Sequence, residues 1–387
     1  MTRREVLVKA IEGRIRWIQA ADILGLSPRQ IRRLKGRFAL WGQKGLEDWR
    51  RGRPMHKRIP ERTVRELCRL KRELYPDFSV RHFHQFATEK HGLKISETWT
   101  RVVLQTAGLV DKCEGRGVYR RRRERRPMVG MLLHLDASTH EWLVGLPRRD
   151  LVVMLDDADG RVLFARFYEQ EGTASTLEAL MHVLVRYGRF CELYTDRGSH
   201  FCRTPEAGGG PDQAHIGQVS RVLKMLGIRQ ILARSPQARG RSERAFGTIQ
   251  GRLPQELRAF GVQDYAAANA YLQKTFVPDF NRRFTVRPAE PESAFTPVSG
   301  LNLEMLLSIQ HERVVRNDST VVFEKLLLQL PPTKDRQHYV RCPVLVHEFV
   351  NGTLGLSYQG QLLARFNRQG SLLPAQPADR SSQRNAA

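Results

Sequence analysis

MLLHLDASTHEWLVGLPRRDLVVMLDDADGRVLFARFY, residues 131–168, decides the fold of the middle of this chain. Met131–Leu135 is a short apolar run closed by Asp136. Leu151–Asp156 is a second apolar run and Arg161–Tyr168 a third. Between the last two stands Asp157-Ala158-Asp159-Gly160, built from turn-forming residues. The spacing predicts one strand followed by a hairpin. Further on, Thr173–Tyr187 carries apolar residues at helical spacing, and Glu192–Thr195 reads as a fourth strand. Val219–Leu226 reads as a helix, Ile228–Ala233 as a fifth strand, and Ser242–Phe260 as a helix disturbed at Pro254.

The order β-β-β-α-β-α-β-α, hairpin first, is that of the ribonuclease-H-like fold, here over residues 128–290. Both flanks differ from it. Residues 1–50 read as helices: Ala20–Ser27 gives a short helix, a Gly25 turn and an N-cap Ser27, and Pro28 suits the first position of the next helix. That helix has Ile31, Leu34 and Phe38 on one face and Arg29, Gln30, Arg32, Arg33, Lys35 and Arg37 on the others. This is a helix-turn-helix pattern, whose Arg side chains suit guanine and whose Gln suits adenine in a major groove. Residues 51–59 form a basic linker with Arg51 and Arg53, of the kind that lies in a minor groove. Thr63–Leu74, Val80–His91 and Ser96–Ala107 predict a second helical or winged DNA-binding domain over 60–110. Residues 111–127 are an Arg-rich linker in which Arg121 and Arg122 can touch phosphates. Short strands at Val314–Val315, Thr320–Phe323, Leu326–Leu330, Val344–Glu348, Leu354–Tyr358 and Leu362–Phe366 predict a small β-barrel over 300–370. Residues 371–387 read as a disordered tail.

The chain has 387 residues and a net charge of +24, which points to a polyanionic partner. Residues 1–126 hold 33 Lys+Arg against 14 Asp+Glu, a net of +19, leaving +5 for the remainder. The grip on a polyanion is therefore expected at the N-terminal side. Five scattered cysteines form no CxxC pair, which argues against zinc and fits a reducing cytoplasm. His82 and His84, two apart on one helix, do not share a face and read as core or surface residues. No apolar run is long enough to span a membrane.

Three acidic residues sit in contexts that fit one metal site. Asp136 and Asp196 close apolar runs, and Glu243 lies in a basic stretch, Ser235–Arg244, that reads as a helix start. Cleaving a phosphodiester requires an in-line nucleophile and relief of charge on the leaving oxygen, which two divalent ions supply together. Mg²⁺ takes hard oxygen ligands and keeps several waters, so a few carboxylates suffice. Asp136, on the central strand, is expected to bridge two ions, with Asp196 and Glu243 each holding one. Asp156, Asp157, Asp159, Glu141 and Glu192 compete for the role, the three Asp as turn formers.

Leu135–Trp142, Tyr194–Phe201 and Ser235–Arg244 resemble the catalytic core of DDE transposases of the retroviral integrase superfamily, and within it bacterial insertion-sequence transposases of the ISNCY type. The resemblance spans most of the chain. It implies Asp136, Asp196 and Glu243 as catalytic metal ligands for two Mg²⁺ (or Mn²⁺). It also implies nicking at element ends, attack of the freed 3′-OH on target DNA, and a homo-oligomer on paired ends. Arg239, Arg241 and Arg244 would be phosphate contacts. Asp196 and Glu243 are separated by 46 residues (197–242), longer than the family commonly shows, and the Gly-rich segment 205–217 accounts for the excess if it is an insertion. Arg197 stands where many relatives have Asn.

The expected protein is thus an insertion-sequence transposase, cytoplasmic and nucleoid-associated, acting on double-stranded DNA at element ends and target and on no membrane. The alternative is a catalytically inactive DNA-binding regulator derived from a transposase. A structural nucleoid protein would need no carboxylate set.

Overall fold

The computed structural model describes residues 3–47, 59–112, 124–202, 216–233, 240–332 and 336–374. The chain divides into two compact units, residues 1–67 and 68–387.

The first unit is helical. Helices α1 (Arg3–Ile11), α2 (Trp17–Leu24) and α3 (Pro28–Trp41) surround a small core of Val6, Leu7, Ala10, Ala20, Ala21 and Ile31. Gly25 ends α2 in the left-handed region, φ 59°, where its N–H bonds the Asp22 carbonyl. Ser27 then caps α3: its Oγ accepts from the Gln30 N–H, and Gln30 Oε1 accepts from the Ser27 N–H. This reciprocal box stabilises such a helix start by about 1 kcal/mol. Helix α4 (Glu61–Glu73) carries the boundary between the units.

The second unit continues with α5 (Val80–Glu89) and α6 (Glu97–Thr106) and then a five-stranded sheet. Its strands are β1 (Leu132–His140), β2 (Arg149–Asp156), β3 (Val162–Tyr168), β4 (Glu192–Thr195) and β5 (Arg229–Leu232), in the order β3-β2-β1-β4-β5. β1, β2 and β3 are antiparallel, and β1, β4 and β5 are parallel. This is the ribonuclease-H-like arrangement expected from the sequence. Helices α7 (Thr173–Arg186) and α8 (Gln218–Met225) cover one face through Leu177, Leu180, Val183, Val219 and Val222. The other face carries α9 (Gly240–Gln250), α10 (Leu253–Ala259), α11 (Tyr265–Tyr271) and α12 (Val277–Phe284), packed through Phe246, Ile249, Leu257, Leu272 and Phe280. The predicted helix 242–260 is two helices, with Pro254 in the first turn of the second, where its missing N–H costs nothing. The outer edge of β3 is closed by side chains. Asn281 bonds both the N–H and the C=O of Val162, and Asn269 does the same for Phe167.

Residues 60–110 contain helices and, among the described residues, no strand, so the wing is absent there. α5 packs on the sheet-covering helices of its own unit. His82 Nε2 lies 2.9 Å from Glu256 Oε1, Arg283 pairs with Glu89, and Arg252 bonds Gln85. Burial lowers the pKa of His82. His84 Nε2 bonds the Ile95 carbonyl at 3.0 Å.

After α13 (Leu303–Leu306) come β6 (Ile309–Val314), β7 (Thr320–Phe323), β8 (Leu326–Gln329), β9 (Pro343–Glu348), β10 (Leu354–Tyr358) and β11 (Gln361–Phe366). The predicted barrel is not closed. The strands make an open four-stranded sheet, β11-β10-β9-β6, and a separate hairpin, β7-β8. The two share one core, Val321, Phe323 and Leu328 against Val346, Leu356 and Phe366, so packing rather than pairing joins them. The first residues of the predicted tail bond back: Ser371 N–H donates to Asn367 Oδ1 and Leu373 N–H to the Arg365 carbonyl. Residues 375–387 lie outside the described residues.

Candidate active site

β1 does not stop at Asp136, as the apolar run suggested. It continues to His140, with Asp136 in mid-strand opposite Val153 of β2. Side chains alternate along a strand. Leu133, Leu135 and Ala137 pack in the core under α7 and α8, which turns His134, Asp136 and Ser138 to the opposite face. Asp136 is 8% exposed.

β4 brings Asp196 beside it. The parallel register pairs Leu132 with Glu192, Leu133 with Leu193 and His134 with Tyr194. The same offset of 60, carried two residues on, sets Asp196 against Asp136, on strands about 4.8 Å apart. Asp196 itself follows the last residue of β4, a strand end as expected. Its Oδ1 accepts the Gly198 N–H at 2.8 Å. A Cβ at Gly198 would lie 3.0 Å from that oxygen and 2.9 Å from the His200 ring, so a side chain there would press on the carboxylate and the imidazole.

α9 carries Glu243 in its first turn, as the basic stretch suggested, and the side chain is exposed. Two tethers hold α9 along β1. At one end Arg241 Nε lies 3.2 Å from Asp157 Oδ1, to which His134 Nε2 also bonds at 2.8 Å. At the other, Gln250 Nε2 donates to Ser138 Oγ at 2.7 Å. From Arg241 to Gln250 is about 13.5 Å of helix, and from His134 to Ser138 about 13 Å of strand. The two elements therefore run side by side. Glu243 lies about 3 Å along from one tether and Asp136 about 7 Å, so the two residues are carried to within about 4 Å of the same level. Among the described residues no three His, Cys, Asp or Glu side chains converge closely enough to hold a metal ion. Extension of the β1–β4 register aligns Asp136 with Asp196, and Glu243 is not gathered with them into a ready ligand set among the described residues.

The competing acids have structural partners. Asp156 accepts the N–H groups of Gly130 and Ala158, and burial pushes its pKa up to about 6. Asp157 is fully buried and accepts the Arg126 N–H. Asp159 closes the hairpin turn on the Arg161 N–H. Glu141 accepts the Gly145 N–H, and Glu192 pairs with Arg126 and Arg229.

The cationic residues also separate. Arg241 turns toward Asp157, with further bonds to the Asp157 and Glu124 carbonyls, so three of its donors are engaged by the protein. Arg244 is exposed, its Nε bonding the Gly240 carbonyl. In the first unit Arg29, Arg32 and Arg33 are exposed on α3. Gln30 has its Oε1 engaged in the cap, which leaves only the amide NH₂ for a base, and Arg37 Nη2 donates to the Glu47 carbonyl at 2.6 Å. Arg51, Arg53, Arg121, Arg122 and Arg239 lie outside the described residues, as does 205–215 of the Gly-rich segment. Asp157, expected as a turn former, is the buried centre of the His134–Arg241 tether, and His134, Ser138 and Gln250, which join β1 to α9, were not singled out from the sequence. Their signal is the alternation His134, Asp136, Ser138, which marks one polar face continuing through Asp136.

Residues 2–55 match the family described as Helix-turn-helix domain. The chain is 32% identical over 369 residues to "Putative transposase y4bF" of Sinorhizobium fredii (strain NBRC 101917 / NGR234), covering 94% of this chain and 79% of that one. The chain belongs to this transposase family. A second transposase, that of insertion sequence IS1202 from Streptococcus pneumoniae, is 28% identical over 323 residues, covering 73% of this chain and 68% of its own. Among solved structures, the HTLV-2 integrase catalytic core domain in complex with magnesium matches 43% of this chain and 95% of its own. The identity is 16% and the TM-score 0.31. A simian T-cell lymphotropic virus intasome in complex with PP2A regulatory subunit B56 gamma covers 78% of this chain and 100% of its own chain, at 16% identity and a TM-score of 0.35. The family, together with the helix-turn-helix match, makes this a DNA-binding transposase. No described helix is long and apolar enough to cross a membrane.

Proposed function

We propose that this chain is an ISNCY-like insertion-sequence transposase that cuts DNA at element ends and joins the freed 3′-OH to target DNA. The observation that supports the reading is the parallel register of β1 and β4, an offset of 60 that, extended past His134 and Tyr194, aligns Asp136 with Asp196 on the strand face along which α9 lies.

The donor set fits Mg²⁺ or Mn²⁺: two strand carboxylates and one helical carboxylate, all hard oxygens, with no thiolate or imidazole among them. Asp136, Asp196 and Glu243 would hold two such ions, which when bound supply charge neutralisation and orientation for in-line displacement at phosphorus. The protein's own residues do the holding. Gly198 fixes one oxygen of Asp196. The His134–Asp157–Arg241 network and the Ser138–Gln250 bond fix α9, and with it Glu243, against β1. In the first reaction water forms a bond to phosphorus as the 3′ oxygen leaves, giving a 3′-OH and a 5′-phosphate. In the second the 3′-OH attacks a target phosphodiester and expels that strand's 3′ oxygen, so one P–O bond is made for each one broken.

End recognition falls to α3, with Arg29, Arg32 and Arg33 exposed at its start. We place the protein in the bacterial cytoplasm, as a homo-oligomer on paired ends. The second reading is the inactive DNA-binding regulator derived from a transposase. One assay separates them: purified protein on a duplex carrying the repeats that flank its reading frame, with Mg²⁺ or with EDTA. A transposase gives nicks at the repeat ends and strand-transfer products with Mg²⁺ alone. A regulator binds the same duplex and leaves it intact.

A further inference from the structure

α3 carries a glycine that neither its backbone nor its packing requires. Gly36 lies in the helix interior, away from both ends. Its φ is not in the left-handed region, and a Cβ built there would meet nothing within 4 Å. Glycine is among the poorest helix formers, and alanine would fit without a clash. The position on the helix is informative. At about 100° per residue, Ile31, Leu34 and Phe38 centre the face turned to the unit's core. Gly36 lies almost diametrically opposite, with Arg32 on one side of it and Arg29, Arg33 and Leu40, which is 72% exposed, on the other. None of Arg29, Arg32 and Arg33 has a partner among the described residues.

We infer that Gly36 is the point of closest approach between α3 and DNA, where the missing side chain lets the helix backbone sink into the major groove. The inference rests on the reading of α3 as the recognition helix and deepens it. A glycine serves where another molecule must come close to the backbone, and here the surface that faces outward is the one flanked by unengaged guanidinium groups. Depth matters to sequence reading, because a helix held off the groove floor reaches base edges with fewer of its side chains. Gly36 therefore acts on specificity rather than on phosphate attraction. A side chain at this position costs more on a selected sequence, where α3 is fully seated, than on random DNA, where phosphate contacts dominate.

The test uses the full chain and a duplex that it enriches from a randomised library, with random-sequence DNA as the comparison. Gly36→Ala and Gly36→Leu are measured beside wild type and Arg32→Ala, for affinity and for the thermal midpoint of the first unit. Both glycine variants should melt a few degrees higher, since each is a better helix former. Gly36→Leu should bind the selected duplex about tenfold more weakly, Gly36→Ala less so, and both should bind random DNA much as wild type does. Two results overturn the inference while leaving the recognition helix intact: selected-duplex affinity unchanged in Gly36→Leu while Arg32→Ala weakens it, or a lowered midpoint, which would show that the fold itself needs the glycine. Failure of wild type to enrich any sequence, or an Arg32→Ala variant that binds the selected duplex as wild type does, would instead remove the reading of α3 on which the inference stands.

Discussion

Arg241 stands two residues before Glu243 and looks, in sequence, like one more phosphate ligand in a basic stretch. Its side chain is only 13% exposed and lies against the fully buried Asp157 carboxylate. Removing one member of a buried ion pair leaves a charge with less compensation, which commonly costs about 3 kcal/mol or more. Arg241→Ala is therefore expected to lower the urea midpoint of the second unit by an amount corresponding to about 3 kcal/mol. Its effect on DNA affinity at low salt should be small beside that of Arg32→Ala. An unchanged midpoint with weakened binding would return Arg241 to the DNA surface. The sequence shows which acids stand at ends of apolar runs. Asp159, bonded to the Arg161 N–H two residues on, is legible as a turn former, but that Asp156 holds the Gly130 N–H and that Asp157 is committed to Arg126, His134 and Arg241 is not, because those partners come from segments distant in the chain. Asp136 is half legible. Its central strand follows from pattern order, but the apolar run hides the polar alternation through Ser138 that places it in mid-strand.

Among the elements, those with strong local signals agree best between sequence and structure. The fourth strand, Glu192–Thr195, has the same bounds in both, and α3 starts where Ser27 and Pro28 mark it. The C-terminal strands are also legible one by one, yet their assembly is not, since closure depends on which edges pair and no local pattern fixes that. The resulting open sheet holds a buried histidine. His347 lies between Ser308 Oγ and Ser357 Oγ, each 2.7 Å away, and burial, with Arg221 near it, pushes its pKa down to about 4. A histidine depressed in the fold stabilises it above the unfolded value of 6.5, and that stability is lost as pH falls from there toward 4. Between pH 7 and pH 5 the loss is about 2 kcal/mol. Urea unfolding of wild type and His347→Gln at both pH values should show the wild type losing about that much more than the variant. Equal losses would mean that His347 is not held neutral.

For the whole molecule, the charge and the chemistry lie in different stretches of the chain. Residues 1–126 carry a net +19 and the helix-turn-helix match, whereas the remaining residues, with the ribonuclease-H-like sheet, carry +5. A protein so divided can lose catalysis without losing its hold on DNA. The expected carboxylates come from β1, the end of β4 and α9, three places that only the fold brings near one another, and Glu243 is the one that register alone does not bring in. The most direct measurement is a Mg²⁺-dependent nicking assay on element-end DNA with Asp136→Asn, Asp196→Asn and Glu243→Gln, each beside wild type and each checked for binding to the same duplex. All three variants are expected to bind within about twofold of wild type and to nick at least about a hundredfold more slowly. Wild-type nicking by any one of them, above all Glu243→Gln, would contradict the assignment of these three carboxylates.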